Sequence, residues 1–396
     1  MRDARPWIIG GGLLLRLAIA PWGAHPGDLP VLTEWAAAWQ IHGWQAIYLA
    51  TSANYPPLGT ALIGGMGALY TLLSGGALPD AASPLWSVLV KLPAILADGG
   101  IAAAVSARAQ RRSLAALAVM ANPALILLSA WWGQLESVYA LGALLAVLAA
   151  VRGRSVRAGM WLALGALVKP QALVIAPLLL THPRRSFRAA AGFGGIALAA
   201  FTPYLIIGQA GFVLRRTIAL IAGPGWLTVN AANLWYLATG GAGNWSAGAP
   251  LLLPDSTPLL AGLTPRLIGV GLLALWTGAA LIRWWLRGDA AFTAVLLVLG
   301  VFFLPTQAHE RYAFGAVVFA LISMRPALAL AITVLHTLNL LWAFGLPPGM
   351  PLPAAFLLLM ISVWIPRGAS ARLLPRAGRS RPATAQSPTG PQSTRR

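Results

Sequence analysis

Apolar runs alternate along this chain with short arginine-bearing breaks, and the alternation dictates a path through a bilayer before any single residue is considered. A helix needs about 20 mainly apolar residues, with a range of about 17–25, to cross the hydrocarbon core. Runs near or somewhat below that length lie at 7–24, 84–106, 114–131, 135–151, 189–207, 265–286, 290–305, 311–324, 327–343 and 353–366. The breaks hold Arg2 and Arg5; Arg108, Arg111 and Arg112; Arg152, Arg154 and Arg157; Arg184, Arg185 and Arg188; Arg283 and Arg287; and Arg325. Under the positive-inside rule these are cytoplasmic loops. The segment 57–73 is apolar enough to span, but a crossing there would put the Arg108 cluster outside and invert every later loop. Parity therefore predicts a large first outer loop over 25–83, with surface helices at 31–42 and 57–73.

Residues 158–183 lie between two cytoplasmic flanks and carry Lys169-Pro170 at their centre. Each arm is only about 12 residues, or about 18 Å, against a core of ~30 Å. Short arms meeting at Lys-Pro predict a protein-lined cavity, because non-helical backbone at membrane depth is tolerated only where protein or water covers it. Residues 208–264 form a second outer loop rich in Gly, Asn and Trp, in which Arg215 and Arg216 break the positive-inside pattern. The fold class expected is an all-α polytopic membrane protein with about twelve membrane segments and both termini inside. Residues 1–366 make up one transmembrane domain, and 367–396 a disordered basic cytoplasmic tail able to touch anionic lipid. The N-terminus has features of a signal peptide, but Arg16 within the apolar run favours a retained first helix.

Composition agrees with this path: 58% of residues are hydrophobic and 9% charged, where soluble domains carry about 25% charged residues. The net charge of +19 is spread over loop clusters rather than a stripe on a soluble module, which argues against nucleic acid as a partner. With no cysteine, disulfides and thiolate metal sites are excluded.

Only nine acids occur, so their placement is informative. Asp28 and Glu34 fall in the first outer loop, Glu136 follows WWGQ, and Glu310 sits in AHERY between His309 and Arg311. The two lysines, Lys91 and Lys169, lie in apolar surroundings near the same side. An ionisable group at membrane depth costs about 2.5–3.5 kcal/mol, so this convergence predicts a polar site on the outer face. Asp98, two helical turns after Lys91, reads as the structural partner of a buried polar group. Glu136 reads equally as the acid at the start of a helix. No His-x-x-x-His or paired-acid spacing points to a metal.

The stretch GDLPVLTEWAAAWQIHGWQAIYLATSANYPPL (27–58) resembles the first outer loop of C-superfamily (GT-C) glycosyltransferases that use lipid-phosphate sugars. In order along the chain, NPALILLSAWWGQLESVYAL, VKPQALVIAP and FFLPTQAHERYAFGAV are similar to segments of bacterial enzymes related to GPI mannosyltransferase II. A more distant likeness is to the dolichyl-phosphate-glucose glucosyltransferases of N-glycan assembly; NAANLWYL is a weaker match. The bacterial enzymes commonly have Asp after WGQ, where this chain has Leu135-Glu136.

The resemblance implies a GT-C-like bundle moving a hexose, mannose by family likeness, from a polyprenyl-phosphate sugar to a glycan or glycolipid acceptor. The reaction would occur on the outer face of the cytoplasmic membrane. It implies that Asp28 is the general base and that Lys169, His309 and Arg311 face the donor phosphate, cations being suited to an oxyanion on which charge develops. Tyr55, Trp132, Gln134 and Asn233 would shape the sugar pocket, with Glu34, Glu136, Gln171 and Glu310 as further substrate contacts. The leaving group is a phosphate monoester, so neither a divalent metal nor another cofactor is required. Lys169 has no acid near it in sequence, and an unpaired buried ammonium must find an anion, which the donor would supply. A lipid-linked-sugar flippase or other transporter is the alternative; it predicts internal repeats and short outer loops, whereas this chain has neither.

Overall fold

The computed structural model describes residues 3–180, 183–222, 225–241, 253–259, 262–346 and 349–365. The tail 367–396 and parts of the second outer loop thus lie outside the described residues. The chain opens with α1 (Arg5–Ile19), α2 (Asp28–His42), α3 (Ile47–Ala50), α4 (Pro57–Leu73) and α5 (Pro84–Ser106). It continues through α6 (Arg112–Met120) and α7 (Pro123–Ile126) into a π-helical turn (Leu127–Trp132), then α8 (Glu136–Val151) and α9 (Ser155–Ala166). A 3-10 turn (Pro170–Ile175) leads to α10 (Ala176–Leu179), α11 (Pro183–Ile206), α12 (Ala210–Ala222) and α13 (Leu234–Ala238). The last helices are α14 (Pro265–Arg287), α15 (Ala290–Phe303), α16 (Phe314–Ile322), α17 (Pro326–Leu341) and α18 (Pro351–Ser362), with a 3-10 turn at Trp342–Phe344.

Among the described residues the regular structure is entirely helical. Three helices, α5, α11 and α14, are long and apolar enough to cross a membrane, and α6 with the α7–π segment, bent by 45°, makes a fourth if taken as one span. Further apolar helices span 10–17 residues, so by length and composition the described residues hold up to four membrane-crossing helices, against the twelve or so segments expected. Helices occupy both of the spans expected in the first outer loop: α4 matches 57–73, and α2 starts three residues before the expected 31. Pro30 sits in its first turn, where a missing N–H costs nothing.

Two buried clusters make the core. The larger joins α5–α9 with α15–α18; the smaller gathers Leu32, Trp35, Tyr48, Tyr55, Ile63 and Trp86 under α2–α4. Helices α9 and α11 touch backbone to backbone: a Cβ on Gly159 would stand 1.8 Å from the Ala189 carbonyl oxygen, and one on Gly192 2.1 Å from that of Val156. Such reciprocal small residues are how helices approach where lipid removes the hydrophobic drive to associate.

Asp98 bonds Arg16 at 2.7 Å, Ser129 at 2.7 Å and Ser137 at 2.6 Å, all buried, tying α1 to α5, the π turn and α8. Its cation is therefore Arg16 rather than same-face Lys91. Lys91 donates instead to Ser87 and to the carbonyls of Ala20 and Gly23 past the end of α1.

Two of the arginine-bearing breaks make contacts of their own. Arg325 pairs with Asp289 at 2.9 Å, and Arg108 lies within electrostatic reach of Arg152. Asp28, Gln134, Lys169 and Arg311 meet elsewhere. Because the chain lacks cysteine, the sidedness is directly testable in intact cells. Leu78→Cys should react with an impermeant maleimide, and Gln110→Cys and Arg154→Cys should not; external labelling at 110 would make α4 a crossing.

Candidate active site

The polar side chains of the site come from breaks between helices or from the turns that border them. Asp28 occupies the first turn of α2, where the positive end of the helix favours a carboxylate. Past α7 the helix widens into the π turn, a feature frequent at functional sites. It stops at Gly133 (φ +93°), whose missing Cβ leaves room for the Lys91 side chain at 3.2 Å. That turn aims two donors at one atom: the Trp132 indole N–H and the Gln134 amide each reach Asp28 Oδ2 at 2.6 Å. Glu136 opens α8. Lys169 is extended (φ −146°, ψ 132°), as the residue before a proline prefers, so the helical path breaks where the short arms predicted.

The fold supplies the anion that the sequence near Lys169 lacks. Lys169 Nζ donates to Glu136 Oε1 and to Gln134 Oε1, both at 2.7 Å, and stands 4.9 Å over the Tyr55 ring. The Tyr55 hydroxyl donates to the same Gln134 oxygen at 3.1 Å. Burial of Lys169 therefore needs no substrate phosphate. Arg311 lies among three carboxylates: Nη1 is 3.5 Å from Asp28 and 3.1 Å from Glu310, and Nε is 3.3 Å from Glu136. Its guanidinium also lies 5.6 Å over Trp132.

Exposure divides the cluster into a mouth and a floor. The side chains of Asp28 (28% exposed), His309 (26%) and Arg311 (17%) are reachable, while Lys169 (3%) and Glu136 (2%) lie beneath. Burial opposes the charge on Asp28, but Arg311 and the Trp132 hydrogen bond outweigh it and hold the carboxyl at about 2. Burial, with Arg311 beside it, pushes His309 down to about 3, so its imidazole is neutral. Burial lifts Glu310 to about 7 against the pull of Arg311.

The loop carrying His309 is fastened from behind. Val229 N–H donates to Ala308 O at 2.9 Å, and Asn230 (φ +58°) and Gln307 (φ +65°) hold left-handed backbone, the kind of strain that clusters at working sites. Buried Asp255 accepts from Thr306 at 2.8 Å and Arg266 at 3.0 Å. Asn339 of α17 accepts from Ala232 N at 2.7 Å and donates to Asn230 O at 3.0 Å and to Glu310 O at 3.4 Å.

The structure thus brings Asp28, Tyr55, Trp132, Gln134, Glu136, Lys169, His309, Glu310 and Arg311 together. Others stand apart. Glu34 is exposed on α2. Asn233 is fully buried and caps α13, accepting from Tyr236 N at 3.0 Å, so it presents no amide to a sugar pocket. Gln171 lies beneath the site with Tyr139 and Tyr312 around a cavity of about 20 Å³. Trp132 is almost fully covered, which makes it a donor to Asp28 rather than a stacking face. Sequence reasoning missed His25, which stacks on Trp132 at 4.6 Å and approaches Asp28 at 3.6 Å; its signal was a histidine one helical turn before the acid. It also missed Asn339, an amide in an apolar run.

An apolar groove of about 370 Å³ runs between α4, α8 and α9, lined by Leu58, Leu62, Leu141, Trp161, Leu164 and Val168. Two of its lining residues, Leu58 and Val168, lie three residues after Tyr55 and directly before Lys169 in the chain. Among the described residues no three acidic or histidine side chains are arranged to hold a metal ion. Compared with known proteins, the chain matches no family model and no curated protein.

Proposed function

We propose that the protein is a membrane hexosyltransferase that transfers a sugar from a polyprenyl-phosphate donor to a glycan or glycolipid acceptor at the outer face of the cytoplasmic membrane. The observation that carries this reading is a reachable carboxylate and a reachable guanidinium, Asp28 and Arg311, 3.5 Å apart. An acceptor hydroxyl gives its proton to Asp28 as its oxygen attacks the anomeric carbon. The bond from that carbon to the phosphate oxygen breaks, and its electron pair leaves on the phosphate. Charge then grows where Arg311 can offer two parallel N–H donors and where the neutral His309 can donate one. Held at about 2, Asp28 is a weak base in the resting site. A phosphate beside Arg311 offsets the cation that holds it down and so strengthens the base. Lys169 supports this face from below by fixing Glu136 and Gln134, and the groove takes the start of the prenyl chain. Mannose as the sugar rests on the sequence resemblance alone.

The test is consumption of polyprenyl-phosphate mannose or polyprenyl-phosphate glucose by purified protein in membranes containing acceptor glycolipid, with polyprenyl phosphate released. Turnover of one donor is expected. Stability of both, with protein shown to be folded, would refute the transferase reading.

A further inference from the structure

A second cluster of charge, away from the candidate site, has a different character. Phe292, almost fully buried, carries the Arg325 guanidinium 3.8 Å and the Arg283 guanidinium 4.2 Å from its ring centre. Arg287 follows one turn after Arg283 at the end of α14. Among the described residues the acid beside these groups is Asp289, and both of its oxygens are engaged: Oδ2 with Arg325 at 2.9 Å, and Oδ1 with Phe292 N–H at 3.1 Å, capping α15. Arg283 thus stands within electrostatic reach of this one carboxylate and of two other guanidinium groups, Arg325 and Arg287. Arg283 Nη1 is buried with no hydrogen-bond partner among the described residues. A charged donor held in that state calls for an acceptor.

We propose that Arg283, Arg287 and Arg325 bind the phosphate of an anionic membrane lipid. Guanidinium groups match phosphate oxygens in pairs, and two cations fixed on one ring lose little freedom when the anion arrives. A lipid fits better than free phosphate because of what flanks the cluster: α14 is one of the helices long and apolar enough to cross a membrane. At its end Trp285 (82% exposed) and Leu286 stand uncovered beside the arginines. An indole at such a boundary sits at headgroup level, and these side chains would lie along the acyl chains. The proposal is independent of any transferase activity.

The full-length protein, delipidated in detergent, is offered phosphatidylglycerol or phosphatidylcholine of identical chains, and bound lipid is counted by native mass spectrometry. Wild type should retain phosphatidylglycerol in preference, and Arg283→Gln or Arg287→Gln should each weaken that retention by about fivefold, the effect of one cation near an anionic headgroup. Arg325 is left intact because it also holds Asp289. Equal retention of the two lipids, or retention by both variants at the wild-type level, would overturn the proposal. Excess inorganic phosphate is the second arm: lipid that stays bound supports a lipid site, and lipid that is stripped off shows a site for free phosphate instead. Thermal unfolding in phosphatidylcholine checks each variant, and the exposed Arg287→Gln decides the outcome if Arg283→Gln does not fold.

Discussion

Asp28→Asn should lower turnover of the lipid-phosphate sugar by about 10²–10⁴, the range typical of a lost general base, with membrane abundance unchanged. The substitution is conservative for the fold. An asparagine carbonyl still accepts from Trp132 and Gln134, which now bond Asp28 Oδ2 at 2.6 Å each, and Arg311 keeps Glu310 and Glu136. What disappears is the capacity to take a proton. Glu34→Gln is the matched control, since that acid lies exposed six residues further along α2 and should turn over like wild type. Rates are compared at equal abundance with the same donor. A fully active Asp28→Asn beside a dead Glu34→Gln would move the base to the other carboxylate.

The second large effect is on folding. Lys169→Met leaves Glu136 buried without the ammonium now 2.7 Å away, and breaking a buried pair from one side costs about 3–5 kcal/mol. Arg311 Nε, 3.3 Å from the same oxygen, puts the expected loss toward the lower end. The variant should accumulate poorly and unfold at lower temperature, whereas Lys169→Met combined with Glu136→Gln should recover most of the loss. A single variant as stable as wild type would mean that the pair contributes nothing. In the recovered double variant, an unchanged donor KM would restrict Lys169 to holding Glu136, and a raised one would place it in phosphate recognition.

Much of the helical layout was legible because periodicity and arginine placement are local signals. The boundaries of α4, α5, α8 and α15 fall within a few residues of the apolar runs, and the break at Lys169-Pro170 follows from proline sterics. Of the ionisable groups expected to converge, Asp28, Glu136, Lys169 and Glu310 do meet, whereas Glu34 stays exposed and Lys91 is taken up by Ser87 and two carbonyls past α1. Pairings were not legible. Whether Lys169 faces Glu136, or Asp98 faces Arg16 rather than Lys91, depends on how each helix is rotated about its axis, and single-sequence spacing does not encode rotation between distant segments. Asn233 shows the opposite failure. Asparagine directly before a short helix is a strong N-cap signal, and that local role takes up the amide that the resemblance assigned to a sugar.

Gln134 gives the site a direction. Its carbonyl takes bonds from Lys169 and Tyr55, and its amide gives one to Asp28, so beside the Arg311 bridge the floor and the mouth communicate through a side chain whose two ends cannot be exchanged. Hydrogen bonds in series polarise one another: a cation pressing on the carbonyl makes the amide a stronger donor, and the carboxylate that receives it a weaker base. Withdrawing Lys169 reverses the sequence. The proton affinity of the exposed acid is thus set in part by a lysine that it never touches, and a change at the buried end reaches the surface with no movement of backbone.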